Sequence, residues 1–192
     1  IDGGADHDTF IASRGYDTIV GGAGTDKLVV DQDLSAAASG SVSYYINSSS
    51  LYDSSSYASI TSALLGASTS YTIYLGSLGQ THASSIEQFE TNLTGGSSSD
   101  LLIYQNGVRY HGGTGTDAFY ANWSGASAAI TWLNDPDLIQ SVNGVSLSGL
   151  ERMRISTGSG ADHITNTNST SSDEIFTGAG NDTIDGGAGD DT

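Results

Sequence analysis

The chain contains no cysteine, which removes both a disulfide framework and any thiolate metal site. It has only five Lys and Arg residues against 22 Asp and Glu, a formal net charge of −17. Nucleic-acid binding needs cations that neutralise phosphate, and an anionic membrane surface repels a chain of this sign, so the balance argues against both partners. No apolar run is long enough to cross a bilayer, and no signal peptide opens the chain. The single proline lies in a turn, Asp135-Pro136-Asp137. What remains is rich in Gly and Ser with modest hydrophobicity, a composition that by itself could indicate disorder. At 192 residues there is room for one domain, compact or elongated.

Order is present in the form of a short period. Residues 3–29 divide into three nine-residue units, GGADHDTFI, ASRGYDTIV and GGAGTDKLV. Each carries small or turn-forming residues first, an aspartate sixth (Asp8, Asp17, Asp26) and a bulky apolar residue eighth (Phe10, Ile19, Leu28). Such a period is read before local secondary structure, because it sets the architecture. Six residues rich in Gly and Asp can turn sharply. The three that follow suit a very short strand whose middle side chain points inward. One unit cannot bury its apolar residue alone, so units must coil and stack. Stacking crowds aspartates and carbonyls together, and an all-oxygen, flexible donor set of that kind suits a hard divalent cation, Ca²⁺ better than Mg²⁺.

Further units appear downstream. GGSSSDLLI (95–103) places Asp100 sixth, a degenerate eight-residue unit (104–111) has no aspartate, and GGTGTDAFY (112–120) places Asp117 sixth. The final block contains TGSGADHIT (157–165), a two-residue interruption, NSTSSDEIF (168–176), TGAGNDTID (177–185) and the seven residues GGAGDDT (186–192), with Asp162, Asp173, Asp182 and Asp191 sixth. Nine of the 22 acidic residues therefore occupy one repeat position, so the acidity is more than a solvated surface.

These units resemble the repeats-in-toxin (RTX) haemolysin-type calcium-binding repeats, with consensus G-G-x-G-x-D-x-U-x. The resemblance implies an all-β fold of parallel β-roll (β-solenoid) coils, two nonapeptides per coil, with several Ca²⁺ ions between turns two units apart. Carried over, Asp8 and Asp26, Asp100 and Asp117, Asp162 and Asp182, and Asp173 and Asp191 share ions. The carbonyls of Gly3, Ala5, Gly22, Gly24, Gly113, Gly115, Gly178, Gly180, Gly187 and Gly189 complete the ligand set. Asp6 and Asp190 are candidates for additional ligands. Departures from consensus put individual sites in doubt: Ala12-Ser13-Arg14 replaces the Gly pair and brings a cation near one site, Asp6 stands where Gly is usual, and residues 168–172 contain no Gly.

The chain thus divides into a first repeat block (1–30), a Ser- and Tyr-rich β insertion (31–94), a second block (95–120), a β insertion with a hairpin (121–156) and a third block (157–192). In the first insertion, strands are expected at Val42–Ile46, Tyr71–Leu75 and Ile86–Thr91. A short helix capped by Asp53 would place Tyr57, Ile60 and Leu64 on one face. Asn143-Gly144 marks a hairpin. The insertions share an exit phrase, Ser85-Ile86-Glu87-Gln88-Phe89 and Gly149-Leu150-Glu151-Arg152-Met153, which suggests two copies of a larger module and a coil-capping role for Glu87 and Glu151. Residues 186–192 followed by Ile1-Asp2 read as one complete unit, so head-to-tail self-association or tandem continuation is an expectation.

Competing readings are weak. Asp31-x-Asp33 has Val42 where an EF-hand loop needs Glu. Gly22-x-Gly24 and Gly178-x-Gly180 complete neither a dinucleotide-binding fingerprint nor a P-loop. His7, His82, His111 and His163 show no zinc spacing, no G-x-S-x-G elbow is present, and no catalytic residue is assigned. Tyr44, Tyr45, Tyr52, Trp123 and Trp132 are candidates for a glycan surface, with core packing the bland alternative. The expectation is a non-enzymatic calcium-binding structural module of a secreted or cell-surface bacterial protein, with a glycan-binding adhesin module or the calcium-dependent accessory domain of a secreted enzyme as alternatives.

Overall fold

The nonapeptide dictates a strand of about three residues with one inward side chain, and that element recurs along the chain. The computed structural model describes residues 1–35, 40–66, 69–167 and 170–192. The first block gives β1 (Asp2–Ala5), β2 (Thr9–Ala12), β3 (Gly15–Ala23) and β4 (Lys27–Asp33). The first insertion adds β5 (Val42–Ile46), β6 (Ser49–Leu51), the helix α1 (Tyr57–Leu64), β7 (Thr69–Leu75), β8 (Gly79–Ile86) and β9 (Gln88–Thr94). The second block gives β10 (Leu101–Ile103), β11 (Arg109–His111) and β12 (Ala118–Asn122). The second insertion adds β13 (Thr131–Leu133), β14 (Gln140–Val142), β15 (Val145–Ser148) and β16 (Arg152–Ser156). The third block closes with β17 (His163–Thr165), β18 (Glu174–Phe176) and β19 (Thr183–Asp185). Residues 168 and 169, the start of one expected unit, lie outside the described residues.

Three repeat strands pair in parallel with the second unit after them. β2 meets β4 with Thr9 opposite Lys27, an offset of 18. β10 meets β12 with Leu101 opposite Ala118, an offset of 17 that follows from the eight-residue unit between them. β17 meets β19 with His163 opposite Thr183, an offset of 20 that absorbs the two-residue interruption. The insertions return into the same sheets: β8 continues beside β3, β9 beside β4 and β16 beside β12, all parallel. Inward positions form the core, with Ile19, Leu28, Leu102, Phe119 and Ile164 buried.

The chain is all-β, but the sheets are mixed rather than a uniform coil. One six-stranded sheet runs β1-β3-β8-β7-β5-β6, with β5, β6 and β7 antiparallel to their neighbours, and among the described residues none of the four sheets closes on itself. The expected strand Ile86–Thr91 is broken at Glu87, between β8 and β9. β3 runs through residues expected to turn, because Gly22 and Ala23 pair laterally with Gly4 and Ala5. The helix forms where expected, but Ser56 caps it by accepting the Ser59 amide. Asp53 instead pairs with Arg152 at 3.2 Å. The Asn143-Gly144 hairpin is present, both residues at positive φ (40° and 84°) as a two-residue primed turn requires. Tyr44, Trp123 and Trp132 are buried, and only Tyr45 and Tyr52 of the five candidate surface aromatics are exposed. Trp123 and Trp132 lie 6.3 Å apart and both pack against Phe119, burying a large apolar area.

Close stacking of turns makes particular glycines indispensable. A Cβ on Gly180 (φ +143°) would lie 2.0 Å from the Gly160 carbonyl oxygen, whereas one on Gly125 would meet nothing within 4 Å. Gly180→Ala should therefore lower stability by about 2 kcal/mol or more, and Gly125→Ala should stay within about 0.5 kcal/mol of the parent. Thermal melts of the two variants check this, and equal melting temperatures would refute the stacking argument.

Candidate metal centre

Asp8, Asp26, Asp100, Asp117, Asp162, Asp173 and Asp182 each lie immediately before a strand, and the parallel register brings repeat aspartates into vertical stacks. The amide of Asp8 donates to Asp26 Oδ1 (2.9 Å), Asp100 to Asp117 Oδ1 (2.7 Å), Asp162 to Asp182 Oδ1 (2.9 Å) and Asp173 to Asp191 Oδ1 (2.9 Å). The four pairs expected from the repeat arithmetic are thus neighbours. Insertion residues supply the same donor where a preceding aspartate is missing: Val42 to Asp100, Ile130 to Asp162 and Met153 to Asp173. Asp26, Asp100, Asp117, Asp162 and Asp173 are buried, and Asp8 and Asp182 are partly so.

Asp17 stands apart. Its carboxylate accepts the Ser13 amide of its own turn, and across the ladder it faces Thr81 rather than an aspartate. Arg14, feared as a competing cation, reaches away to the Asp33 carbonyl. His7 Nδ1 accepts the Thr25 amide and acts as a turn brace. Asp190 is exposed, its amide on Ser172 Oγ.

The turn carbonyls stack in the same way. Cβ atoms on Gly22, Gly24, Gly113 and Gly178 would strike the carbonyl oxygens of Gly4, Asp6, Gly96 and Gly158 at 2.1, 1.8, 2.2 and 2.2 Å. Gly115 and Gly189 approach the carbonyls of Ser98 and Ser171, and Gly187, like them, adopts positive φ. Positive φ falls at the second and fourth positions of several units, as at Gly22 and Gly24, Gly113 and Gly115, Gly178 and Gly180, and Gly187 and Gly189. In the first unit these are Gly4 (φ 94°) and Asp6 (φ 107°), so their carbonyls, not those of Gly3 and Ala5, stack on Gly22 and Gly24. Asp6 takes the glycine conformation with its side chain exposed.

The donor set fits a calcium ion. The second carboxylate oxygens of Asp8, Asp26 and Asp117 are buried and have no hydrogen-bond partner, an arrangement that costs free energy unless a cation compensates it. Among the described residues no three His, Cys, Asp or Glu side chains cluster as a metal site, so a bound ion would draw its remaining ligands from the carbonyls. Other carboxylates are satisfied by the protein: Asp162 Oδ2 accepts Thr157 Oγ1 (2.6 Å), Asp173 Oδ2 accepts Asn166 Nδ2 (2.8 Å), and Asp100 Oδ2 accepts the Gly96 amide (3.2 Å). Sequence reasoning missed Asn166, because an asparagine inside an interruption gives no repeat signal.

The RTX calcium-binding nonapeptide repeat model matches residues 2–33 and 168–192, in four copies. Within those two segments the chain carries RTX calcium-binding nonapeptide repeats. No curated protein matches it. The matched RTX segments leave out residues 95–120, yet Asp100 and Asp117 stack there just as Asp8 and Asp26 do.

Burial sets the protonation of the metal-free turns at Asp100 and Asp117. It pushes Asp117 up to about 8, against the lowering by the Asp100 amide and helped by the charges of Asp100 and Glu151. It pushes Asp100 up to about 6 against the Val42 and Gly96 amides. A raised carboxyl pKa means the folded state binds more protons than the unfolded one, so stability falls as pH rises from about 4 towards 8. In chelator the chain should melt at a higher temperature near pH 5 than near pH 8, while its calcium affinity changes in the opposite sense, since the metal displaces those protons. Melting temperatures across that range read both trends, and a metal-free chain that is most stable at pH 8 would contradict them.

Proposed function

We propose that the chain is a calcium-dependent structural module of a secreted or cell-surface protein. In this reading its repeats form parallel β-roll coils that become rigid when calcium lies between stacked carboxylates. The observation that carries the reading is the set of buried, unpartnered oxygens on Asp8, Asp26 and Asp117, each one step from a second carboxylate in the next turn. Calcium supplies double positive charge and accepts oxygen donors in a flexible shell.

The chain's own residues do the rest. Paired aspartates present fixed oxygens, glycines let carbonyl-bearing turns approach closely, and the inward row of Ile19, Leu28, Phe119 and Ile164 closes a core once the coils are stacked. Without the ion, like charges inside the stack raise the free energy of the folded state. An ion that binds only the folded state stabilises it by about 2.7 kcal/mol per site at a concentration of 100 Kd. Extracellular calcium modules have dissociation constants of roughly 10⁻⁴ to 10⁻³ M, a range that keeps such a chain loose inside a cell and folded outside. No helix among the described residues is long and apolar enough to span a membrane.

Circular dichroism during chelation and calcium addition tests this. The β signal should collapse in chelator near pH 8 and return with calcium but not with the same concentration of magnesium. A full β spectrum in chelator would contradict the reading.

A further inference from the structure

The two insertion exits close the aspartate stacks in one and the same way. After Asp26 the next turn is only three residues, Ser85-Ile86-Glu87, and Glu87 Oε2 accepts the Asp26 amide at 2.8 Å. After Asp117 it is Gly149-Leu150-Glu151, and Glu151 Oε2 accepts the Asp117 amide at 2.8 Å. These are the bonds that Asp26 and Asp117 themselves accept from Asp8 and Asp100. The Asp26 carbonyl accepts the amides of Glu87 and Gln88, and the Asp117 carbonyl those of Glu151 and Arg152. Ser85 and Gly149 share a left-handed backbone, φ 53° and 60°. The turn has lost three residues, and a side chain one methylene longer than aspartate reaches the vacated carboxylate position.

Both junctions carry the mark of an unmet ligand requirement. Asp26 and Asp117 have no exposed surface, and the Oδ2 of each has no hydrogen-bond partner. Each free oxygen converges with a carbonyl of the returning turn. A Cβ on Gly21 would lie 2.6 Å from Asp26 Oδ2 and 1.9 Å from the Ser85 oxygen. One on Gly112 would lie 2.7 Å from Asp117 Oδ2 and 1.8 Å from the Gly149 oxygen. No basic side chain neutralises either glutamate: the ion pairs among the described residues are Lys27–Glu90, Arg152–Asp53 and Arg154–Glu174. In the third block, by contrast, Thr157 and Asn166 saturate the corresponding aspartate oxygens.

We infer that Glu87 and Glu151 are cation ligands, and that Asp26 with Glu87 and Asp117 with Glu151 form two calcium sites at the junctions between repeats and insertions, outside the nonapeptide pattern. Each site would combine the free aspartate oxygen, the glutamate carboxylate and the carbonyl of Ser85 or Gly149. The repeat stack and the inserted sheet would then be fastened by the same ion, so calcium would order the insertions as well as the turns. The inference rests on the calcium-binding reading above, and its test separates the two.

The experiment counts calcium bound to the intact chain by native mass spectrometry and titration calorimetry, for the parent, Glu87→Gln, Glu151→Gln, the double variant, and Glu90→Gln as a control outside the stacks. Gln keeps an oxygen to accept the Asp26 or Asp117 amide but removes the charge. Each single variant should weaken one site by about tenfold or more, a loss of roughly 1.4 kcal/mol, the double variant should weaken two, and the control none. Unchanged counts and affinities in folded Gln variants would overturn the inference while leaving the repeat sites standing. A parent chain that binds no calcium would overturn both. Should the Gln variants fail to fold, anomalous diffraction from the calcium-loaded parent decides. A peak within about 2.3–2.6 Å of each glutamate carboxylate supports the assignment, and its absence at both overturns it.

Discussion

The fold depends on a contact between like-charged neighbours. Four repeat turns set a carboxylate against the amide of the aspartate two units earlier, and this contact fixes the height, register and spacing of the strands that follow. An amide donor satisfies one oxygen of each carboxylate. The other is met by a threonine, an asparagine or a glycine amide in some turns and by nothing in others. A chain with so few basic residues has no side chains to neutralise such a stack, and the consequence is an architecture that calls for an external cation.

The rest of the molecule accommodates that stack. Glycines at the second and fourth turn positions bring carbonyls within van der Waals contact of the next turn, a distance that any side chain would prevent. Offsets of 17, 18 and 20 residues between stacked aspartates show that the register tolerates a short unit or an added dipeptide, as long as each aspartate returns to the same height. The insertions are spliced into the sheets rather than hung from them, beginning on a backbone amide that mimics an aspartate and ending on a glutamate that replaces one.

Much of this was legible in the sequence because it is periodic. The aspartate pairs, the inward apolar row and the β5 strand follow from counting, and Asn143-Gly144 announces its own turn. The misses have physical causes. The hairpin joining β5 to β6 turns on Asn47 and Ser48, both at positive φ, and without a glycine it gives no strong signal. Asp53 is a plausible helix cap by residue type, but Ser56 is nearer the first helical turn, and Arg152, 99 residues away, claims the carboxylate. Glu87 and Glu151 could be matched to one another by their flanking residues. That they complete a carboxylate stack depends on a three-residue turn visible only in three dimensions. In the first unit the carbonyls stacked against Gly22 and Gly24 are those of Gly4 and Asp6, and Asp6 there holds the positive φ that a glycine takes in other units.

The most direct test of the central claim is a diffraction experiment on calcium-loaded crystals at a wavelength where calcium scatters anomalously. The account predicts a peak between the carboxylates of Asp8 and Asp26 and another between those of Asp100 and Asp117, each ringed by turn carbonyls. Stacked carboxylates held only by backbone amides, with no peak beside them at saturating calcium, would contradict it.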